Sequence, residues 1–417
     1  MLTAIATGGV FAQTPPPPAH ITIDQAIREA INNNLGLVAE KLNIPLAEAR
    51  LVTARLRPNP VLTVDGDYLD ILGTGFTVGT NNAGPSEAAV RADFVIERGK
   101  KRENRIAVAE LGKSVAELSV LNTLRGVILD VENAFVDVLL AKETLALAQE
   151  NLKALNAIVE VNTNRVRAGD LAQVELVRSR LAALQFQNAA RQAEFRLHSA
   201  RHKLQVVMGR KEFEHGFTVD GEMRKDPDLI DIRPLRELAQ KLRPDLKAIQ
   251  QDQARSAADL RLQIAQGKVD YTVGTVYHRQ QSPTGTGNSM GFYLSLPIPV
   301  FNRNQGEIER ARVEHQQLEA RINALRASIA AEVEVSYEQY STSRIMVESL
   351  EKEMLQQARE VRNTTEYSYR RGEASLIEFL DAQRAFNDTI QSYNEARADY
   401  ARSLYQIDSI SGKAVNP

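Results

Sequence analysis

The sequence predicts a mainly α protein with a small β portion, assembled from two tandem helix–strand–strand–helix–helix repeats. The first observation behind this is an ungapped internal duplication. Val166-Arg167-Ala168-Gly169-Asp170 opens a helical stretch ending at Met208-Gly209, and Tyr369-Arg370-Arg371-Gly372-Glu373 opens another ending at Ser411-Gly412. The glycines share one offset, since 372 − 169 and 412 − 209 are both 203, and Glu175 falls on Glu378, Ala182 on Ala385 and Ala193 on Ala396. Few of these positions are identical, so shared spacing and order of elements carry the signal. The second observation is a pair of very long, proline-free stretches whose apolar residues step by three and four, the pattern of coiled-coil helices. The third is a set of short stretches in which apolar and polar residues alternate, as they do along a half-buried strand.

Taken in order, residues 1–12 end in the small, apolar run Val10-Phe11-Ala12, which reads as the remnant of a secretory signal cut after Ala12, without a positive n-region. Residues 13–20 form a spacer stiffened by Pro15 to Pro18. The first repeat spans 21–209. In it Asp24 to Arg57 reads as helix, and Leu62, Val64, Gly66 and Tyr68 then alternate with Thr63, Asp65 and Asp67. A polar, glycine-rich loop from Gly73 to Pro85 follows, and Val90, Ala92, Phe94 and Ile96 alternate with Arg91, Asp93 and Glu97. The first long helix runs from Glu103 to about Arg165, with Leu111, Val115, Leu118, Leu121, Leu124, Ile128, Val131, Phe135 and Val138 along one seam.

After a linking segment, 210–233, the plan repeats over 234–412, leaving 413–417 as a tail. Pro234 to Gln266 reads as helix. Val269 to His278 puts Tyr271, Val273 and Tyr277 on one side and Asp270, Thr272 and His278 on the other. Beyond the loop Ser282 to Asn288, Phe292, Leu294, Leu296 and Ile298 alternate with Tyr293, Ser295 and Pro297. The second long helix runs from Glu307 to about Tyr369. At 1.5 Å per residue each long helix is about 95 Å in length. In the last helix Phe379, Phe386, Tyr393, Tyr400 and Ile407 recur every seventh residue.

Composition narrows the classes. The 417-residue chain has 43% hydrophobic and 25% charged residues and a net charge of −2, which gives no basic footprint for nucleic acid. It has no cysteine, which excludes disulfides, thiolate metal sites and a lipidated N-terminal Cys. It has no run of 18 apolar residues, so any entry into a membrane must use strands. Four strands cannot close a transmembrane barrel, whose smallest known size is about eight strands. If the strands enter lipid, several copies must share one barrel. Three copies would supply twelve strands, with the long helices continuing it as an α-helical barrel. An elongated soluble coiled-coil scaffold is the alternative of a different class. No phosphate loop, nucleophile elbow or zincin motif is present, so no enzyme activity and no cofactor are expected. His198 and His202 are spaced i, i+4 and could chelate a metal, but the sequence places no third ligand, so no metal site is assigned.

From Ile21 to Gly412 this order of elements resembles the TolC family of outer-membrane efflux channels. The stretch Leu296-Pro297-Ile298-Pro299-Val300-Phe301-Asn302-Arg303-Asn304-Gln305-Gly306-Glu307-Ile308 looks like the strand-to-helix corner of its heavy-metal, CzcC/CusC-like branch, and Ile96 to Arg102 is the first-repeat equivalent. The resemblance implies a homotrimer in the outer membrane of a Gram-negative-type cell, with a long periplasmic extension. It implies a passive conduit fed by a periplasmic adaptor and an inner-membrane RND-type pump, exporting heavy-metal cations. A related channel for organic solutes or protein secretion is the alternative within the family. Segment 211–233 would form an equatorial belt, with Phe217-Thr218-Val219-Asp220 as a short strand.

The resemblance also implies sites. Glu378 and Asp381, with Glu175 at the equivalent position and Tyr369, correspond to a periplasmic gate, where threefold symmetry would gather carboxylates into a cation-attracting ring. The family pattern expects an arginine at Ala374, and Arg165, Arg167, Arg370 and Arg371 are the available substitutes. The turns Arg167-Ala168-Gly169-Asp170 and Arg371-Gly372-Glu373 correspond to adaptor-docking tips. Glycine for positive φ and an acidic residue before a helix also explain these turns locally. Alternation places Thr63, Asp65, Asp67, Arg91, Asp93, Tyr293 and Ser295 on the lumen side of a barrel.

Overall fold

The computed structural model describes residues 20–69, 86–214, 216–282 and 285–413. The expected signal remnant, the proline run, the Gly73–Pro85 loop and residues 414–417 lie outside the described residues. The chain divides into two compact units. One comprises the N-terminal part up to residue 38, residues 123–242 and those from 329 on; the other comprises 39–122 and 243–328.

The second unit holds a four-stranded antiparallel sheet of β2 (Val61–Asp67), β3 (Glu87–Ile96), β5 (Tyr271–Ser282) and β6 (Gly285–Ser295), in the order β2-β3-β5-β6. Both hairpins are local, and β3 and β5 join the two repeats. β6 begins at Gly285, so most of the expected loop is strand. It ends at Ser295, because Pro297 and Pro299 have no N–H to continue the ladder. Helices α3 (Asn43–Arg55) and α7 (Pro244–Gln266) pack here, with the first turns of α4 (Lys101–Ala168) and α8 (Gln305–Ser349). The two corners from strand to long helix share one device: Lys100 (φ 61°) and Asn304 (φ 64°) are left-handed immediately before α4 and α8. Asn304 is held by its amide donating to the Gln263 carbonyl at 2.8 Å. Lys101 is held by Asp270 at 2.7 Å, and Arg105 pairs with Glu97.

The first unit contains α1 (Ile23–Asn33), the rest of α4, α5 (Gln173–Val207), α6 (Ile232–Leu242), the end of α8, α9 (Leu355–Arg371) and α10 (Leu376–Ser411). A parallel pair, β1 (His20–Ile21) with β4 (Thr218–Val219), ties the N-terminal segment to the link between the repeats, with Ile21 opposite Val219 and both buried. Val131, Phe135 and Val138 of α4, and Phe379, Phe386, Tyr400 and Ile407 of α10, are buried as their spacing predicts.

The duplication is visible in the backbone. Gly169, Gly372, Gly209 and Gly412 have φ of 86°, 85°, 81° and 75°. Gly209 could not be otherwise, because a Cβ would collide with the Asn33 carbonyl. α1 and α6 are each 11 residues long and each stops at one extended residue, Asn34 (φ −58°, ψ 119°) or Arg243 (φ −56°, ψ 123°).

Those two residues correct the expectation of unbroken helices over 24–57 and 234–266. Asn34 leaves the helix because its side chain donates to the Val207 carbonyl at 2.7 Å and accepts from the Leu37 N–H at 3.0 Å. Arg243 precedes Pro244, which disfavours the helical conformation before it. A further break, between α2 (Leu35–Lys41) and α3, lies just ahead of Pro45. The second long helix is also interrupted, by a π-helical turn over Leu350–Met354. There Glu351 accepts from Lys225 at 2.9 Å and from the Tyr393 hydroxyl at 2.9 Å.

The link between the repeats is fastened by charge. Arg210 pairs with Glu29 at 2.6 Å. Arg224 reaches Asp226 at 2.7 Å and Asp408 at 2.5 Å, and lies 5.2 Å from the centre of the Tyr405 ring. Glu132 of α4 faces this cluster. Burial pushes its carboxyl up to about 8 from 4.5, Asp408 adds to the rise and Arg224 opposes it. A carboxyl whose folded pKa is raised keeps its proton after the unfolded chain has lost it. It therefore costs stability increasingly from about pH 4.5 to about 8. Glu132→Gln is expected to stabilise the detergent-solubilised protein by on the order of 2–4 kcal/mol at pH 8 and to leave it unchanged below pH 4.5. Thermal melts across that range check this, and an equal effect at both ends contradicts it.

Candidate functional site: the paired helical turns

Two helix reversals in the first unit carry most of the expected site residues. At the first, α4 ends as Gly169 N–H bonds to Val166 O at 3.1 Å and Asp170 N–H to Arg165 O at 2.9 Å. At the second, α9 ends as Gly372 N–H bonds to Tyr369 O at 3.0 Å and Glu373 N–H to Ser368 O at 2.9 Å. Both are Schellman closures, which require the left-handed glycine. Arg167, Gly169, Asp170, Arg371, Gly372 and Glu373 are all exposed. The two turns are adjacent, since the Arg165 guanidinium lies where a Cβ on Gly372 would be 2.9 Å away.

The helices that leave the turns start differently. α10 is capped by Ser375, whose hydroxyl accepts from the Glu378 N–H at 3.3 Å while the Glu378 carboxylate accepts from the Ser375 N–H at 2.6 Å and its hydroxyl at 2.9 Å. This is a capping box. The Ser375 N–H, then its hydroxyl, hold the Glu378 carboxyl below its ordinary range. α5 starts at Ala172, which has no side-chain acceptor, so Glu175 turns instead to Arg178 at 2.8 Å. The local role expected of Asp170 and Glu373 as helix-start acids therefore belongs to Ser375 and Glu378 in the second turn. Asp381 is exposed on the next turn of α10 and lies 3.6 Å from Arg384.

Under the turns, Leu155, Ile158, Ala182, Leu376 and Phe379 form a buried cluster around Tyr369. The Tyr369 ring stacks on Phe379 with centroids 5.6 Å apart, and its hydroxyl donates to Asn162 Oδ1 at 2.8 Å. Burial raises the Tyr369 pKa, against the opposing effects of the Asn162 bond and Arg165. Ala374 packs against this cluster. Of the four arginines considered for that position, Arg165 is the one beside Tyr369. Arg370 is taken by Glu366 at 2.7 Å and Arg371 lies over the Tyr367 ring. Asn162 and Ser375 escaped the sequence reading. An Asn within an apolar helix seam and a Ser-x-x-Glu after a turn were the available signals. A second buried polar contact joins the repeats at Gln383, which donates to Asn151 at 2.9 Å.

The remaining site residues lie on the sheet. Register puts Thr63 opposite Arg91, Asp65 opposite Ala89, and Asp93 opposite Gly274, which is opposite Tyr293. Ser295 pairs with Thr272, and Asp67 with Glu87. All therefore share one face, together with Val61, Val95 and Val276. Arg91 bonds Asp93 at 3.0 Å and lies 5.3 Å from the centre of the Tyr293 ring, and that ring occupies the space a side chain at Gly274 would need. His278 Nδ1 lies 2.8 Å from Glu87 on the same face. The opposite face carries Leu62, Val64, Val90, Phe94, Phe292 and Leu294, all exposed. Among the described residues no helix is long and apolar enough to cross a membrane, and no three His, Cys, Asp or Glu residues are grouped to hold a metal ion.

Tyr369→Phe leaves both ends of the buried Asn162 amide without a partner, at a cost of about 1–3 kcal/mol. Its thermal midpoint is expected to fall, and adding Asn162→Leu to recover part of the loss. An unchanged midpoint for the single variant contradicts the importance of this bond.

Comparison with known proteins agrees with this architecture. The chain is 23% identical to the cobalt-zinc-cadmium resistance protein CzcC of Cupriavidus metallidurans over 94% of its own length and 90% of the relative's. It superposes on a crystal structure of CusC with a TM-score of 0.75 at 17% identity, covering 94% of this chain and 92% of that one. For the Campylobacter jejuni CmeC outer membrane channel the TM-score is 0.79 at 14% identity, covering 94% and 86%. A family model for the outer membrane efflux protein matches residues 26–210 and 235–413, most of both repeats, and the chain belongs to the outer membrane efflux protein family.

Proposed function

We propose that three copies of this chain close their sheets into one twelve-stranded barrel, an outer-membrane conduit through which heavy-metal cations leave the cell. The observation that carries the barrel is the sheet itself. Its four strands expose an apolar band on one face, set a mostly polar face against it, and leave the outer edges of β2 and β6 open. In hydrocarbon such edges must be paired, and further copies of the same sheet pair them. The apolar face then meets lipid, and Thr63, Asp65, Asp67, Arg91, Asp93, Tyr293 and Ser295 line water. The conduit is passive, fed by an inner-membrane RND-type pump through a periplasmic adaptor that docks at the paired turns. Cation cargo is supported by the likeness to CzcC and by the resemblance of the Leu296–Ile308 corner to that branch.

In this reading Glu378 and Asp381, with Glu175 and Tyr369 beside them, form the narrow periplasmic end. A ring of carboxylates in a narrow pore attracts cations, and Glu378 is held ionised by its cap. The variant Glu378→Gln, Asp381→Asn is expected to show weaker cation selectivity and weaker block by multivalent cations in planar-bilayer recordings. An unchanged reversal potential and unchanged block place the constriction elsewhere. The sheet has its own test. Val64→Arg should impair outer-membrane insertion, at about 2–4 kcal/mol near the midplane, while Thr63→Arg is tolerated. Equal effects at the two neighbouring positions contradict the assignment of faces.

A further inference from the structure

In the first unit, α5 presents an apolar stripe that none of the described residues covers. Val174, Val177, Leu181 and Leu184 are spaced i, i+3, i+7 and i+10 and are 54–58% exposed, whereas Ala182 on the opposite side joins the buried cluster. The equivalent positions in the second repeat, 203 residues on, are Ile377, Leu380, Arg384 and Asn387, so the half of the stripe formed by Leu181 and Leu184 belongs to the first repeat alone. α9 carries a smaller exposed face made by Val361, Thr364 and Tyr367, pointing away from the buried Tyr369.

The two faces match in depth. α5 runs away from the turn at Gly169 and α9 runs toward the adjacent turn at Gly372. Val174 lies 5 residues from its glycine (174 − 169) and Tyr367 lies 5 from its own (372 − 367). Leu181 lies 12 away (181 − 169) and Val361 lies 11 (372 − 361). Charge matches at the same level. Arg180 is 11 residues from Gly169 and Glu360 is 12 from Gly372, both are exposed, and neither is ion-paired among the described residues. Helices whose apolar and charged positions agree in antiparallel register fit as partners. Within one chain both faces are exposed, and their matched depth and charge favour a second copy of the chain as the partner of each.

We propose that the α5 stripe packs against the α9 face of a second copy of this chain, with Leu181 beside Val361 and Arg180 beside Glu360, as the seam between neighbouring protomers near the turns. The proposal rests on the trimeric reading above and names the surfaces that reading leaves open.

The chain has no cysteine, so introduced thiols report without background. Leu181→Cys and Val361→Cys chains, each carrying a different tag, are co-expressed, extracted in mild detergent and oxidised. A disulfide needs Cα atoms within about 7 Å. The expected result is a reducible dimer containing both tags, absent when either chain is expressed alone. The double-cysteine chain is expected to yield a covalent trimer. Arg180→Glu is expected to weaken the particle against heat in detergent, and adding Glu360→Arg to restore it. An intrachain disulfide, a cross-link to a different protein, or no mixed dimer overturns the seam. Light scattering corrected for bound detergent is run on the same samples. A three-chain particle without the mixed dimer leaves the trimer standing and the seam wrong, whereas a single-chain particle removes both.

Discussion

A backbone N–H or C=O taken into hydrocarbon without a partner costs several kcal/mol, and the outer edges of β2 and β6 each carry a row of them. Water would satisfy such an edge, but the face beside it is lined with Leu62, Val64, Phe94, Phe292 and Leu294, which water does not favour. In an outer-membrane protein these two facts are compatible only if the edges meet other edges. The rest of the chain can be read as what a sheet of this kind needs. Tight corners at Lys100 and Asn304 turn each hairpin into a long helix, and proline ends β6 where the ladder must stop.

The two repeats keep one backbone plan while diverging in chemistry. Left-handed glycines at 169, 372, 209 and 412 hold the same turns because no side chain tolerates that conformation so readily. Side chains around them have parted. Ser375 caps α10 through Glu378, whereas Ala172 leaves Glu175 to pair with Arg178. Asn34 breaks its helix by bonding the backbone, and Arg243 breaks the equivalent one because proline follows. The π turn at Leu350–Met354 has no counterpart in α4, which is helical throughout Lys101–Ala168. A duplicated fold with unlike halves gives each protomer two different helical faces toward its surroundings, and such faces can meet across a ring of identical chains.

Polar groups join the repeats inside the first unit. Tyr369 with Asn162 and Gln383 with Asn151 place buried hydrogen bonds between α4 and the α9–α10 pair. Apolar seams alone slide past one another at low cost, whereas a buried polar pair out of register loses its partner, so these contacts specify alignment. Arg224, bound by Asp226 and Asp408, does the same for the link between the repeats, while burial and then Asp408 raise the pKa of the nearby Glu132 carboxyl against the opposing effect of Arg224.

The duplication, the long helices, the four strands and their phase were legible in the sequence because each follows from a period: 203 residues for the repeat, three and four for the helices, two for the strands. Helix breaks at Asn34 and Arg243 were less so. Asn34 leaves the helix for a carbonyl 173 positions away, which no local pattern announces, although the proline after Arg243 did. The candidate site divides in the same way. Its glycines could be named from the shared offset of the repeats and its acidic residues from the family resemblance, and Ser375-x-x-Glu378 is a local motif. That Arg165 rather than its neighbours stands beside Tyr369, that Asn162 receives the Tyr369 hydroxyl, and that Tyr293 lies across Gly274 toward Arg91 were decided only by tertiary structure. Periodicity determines which way a side chain faces on its own element, but its partner is set by how distant elements pack, and that depends on the whole chain.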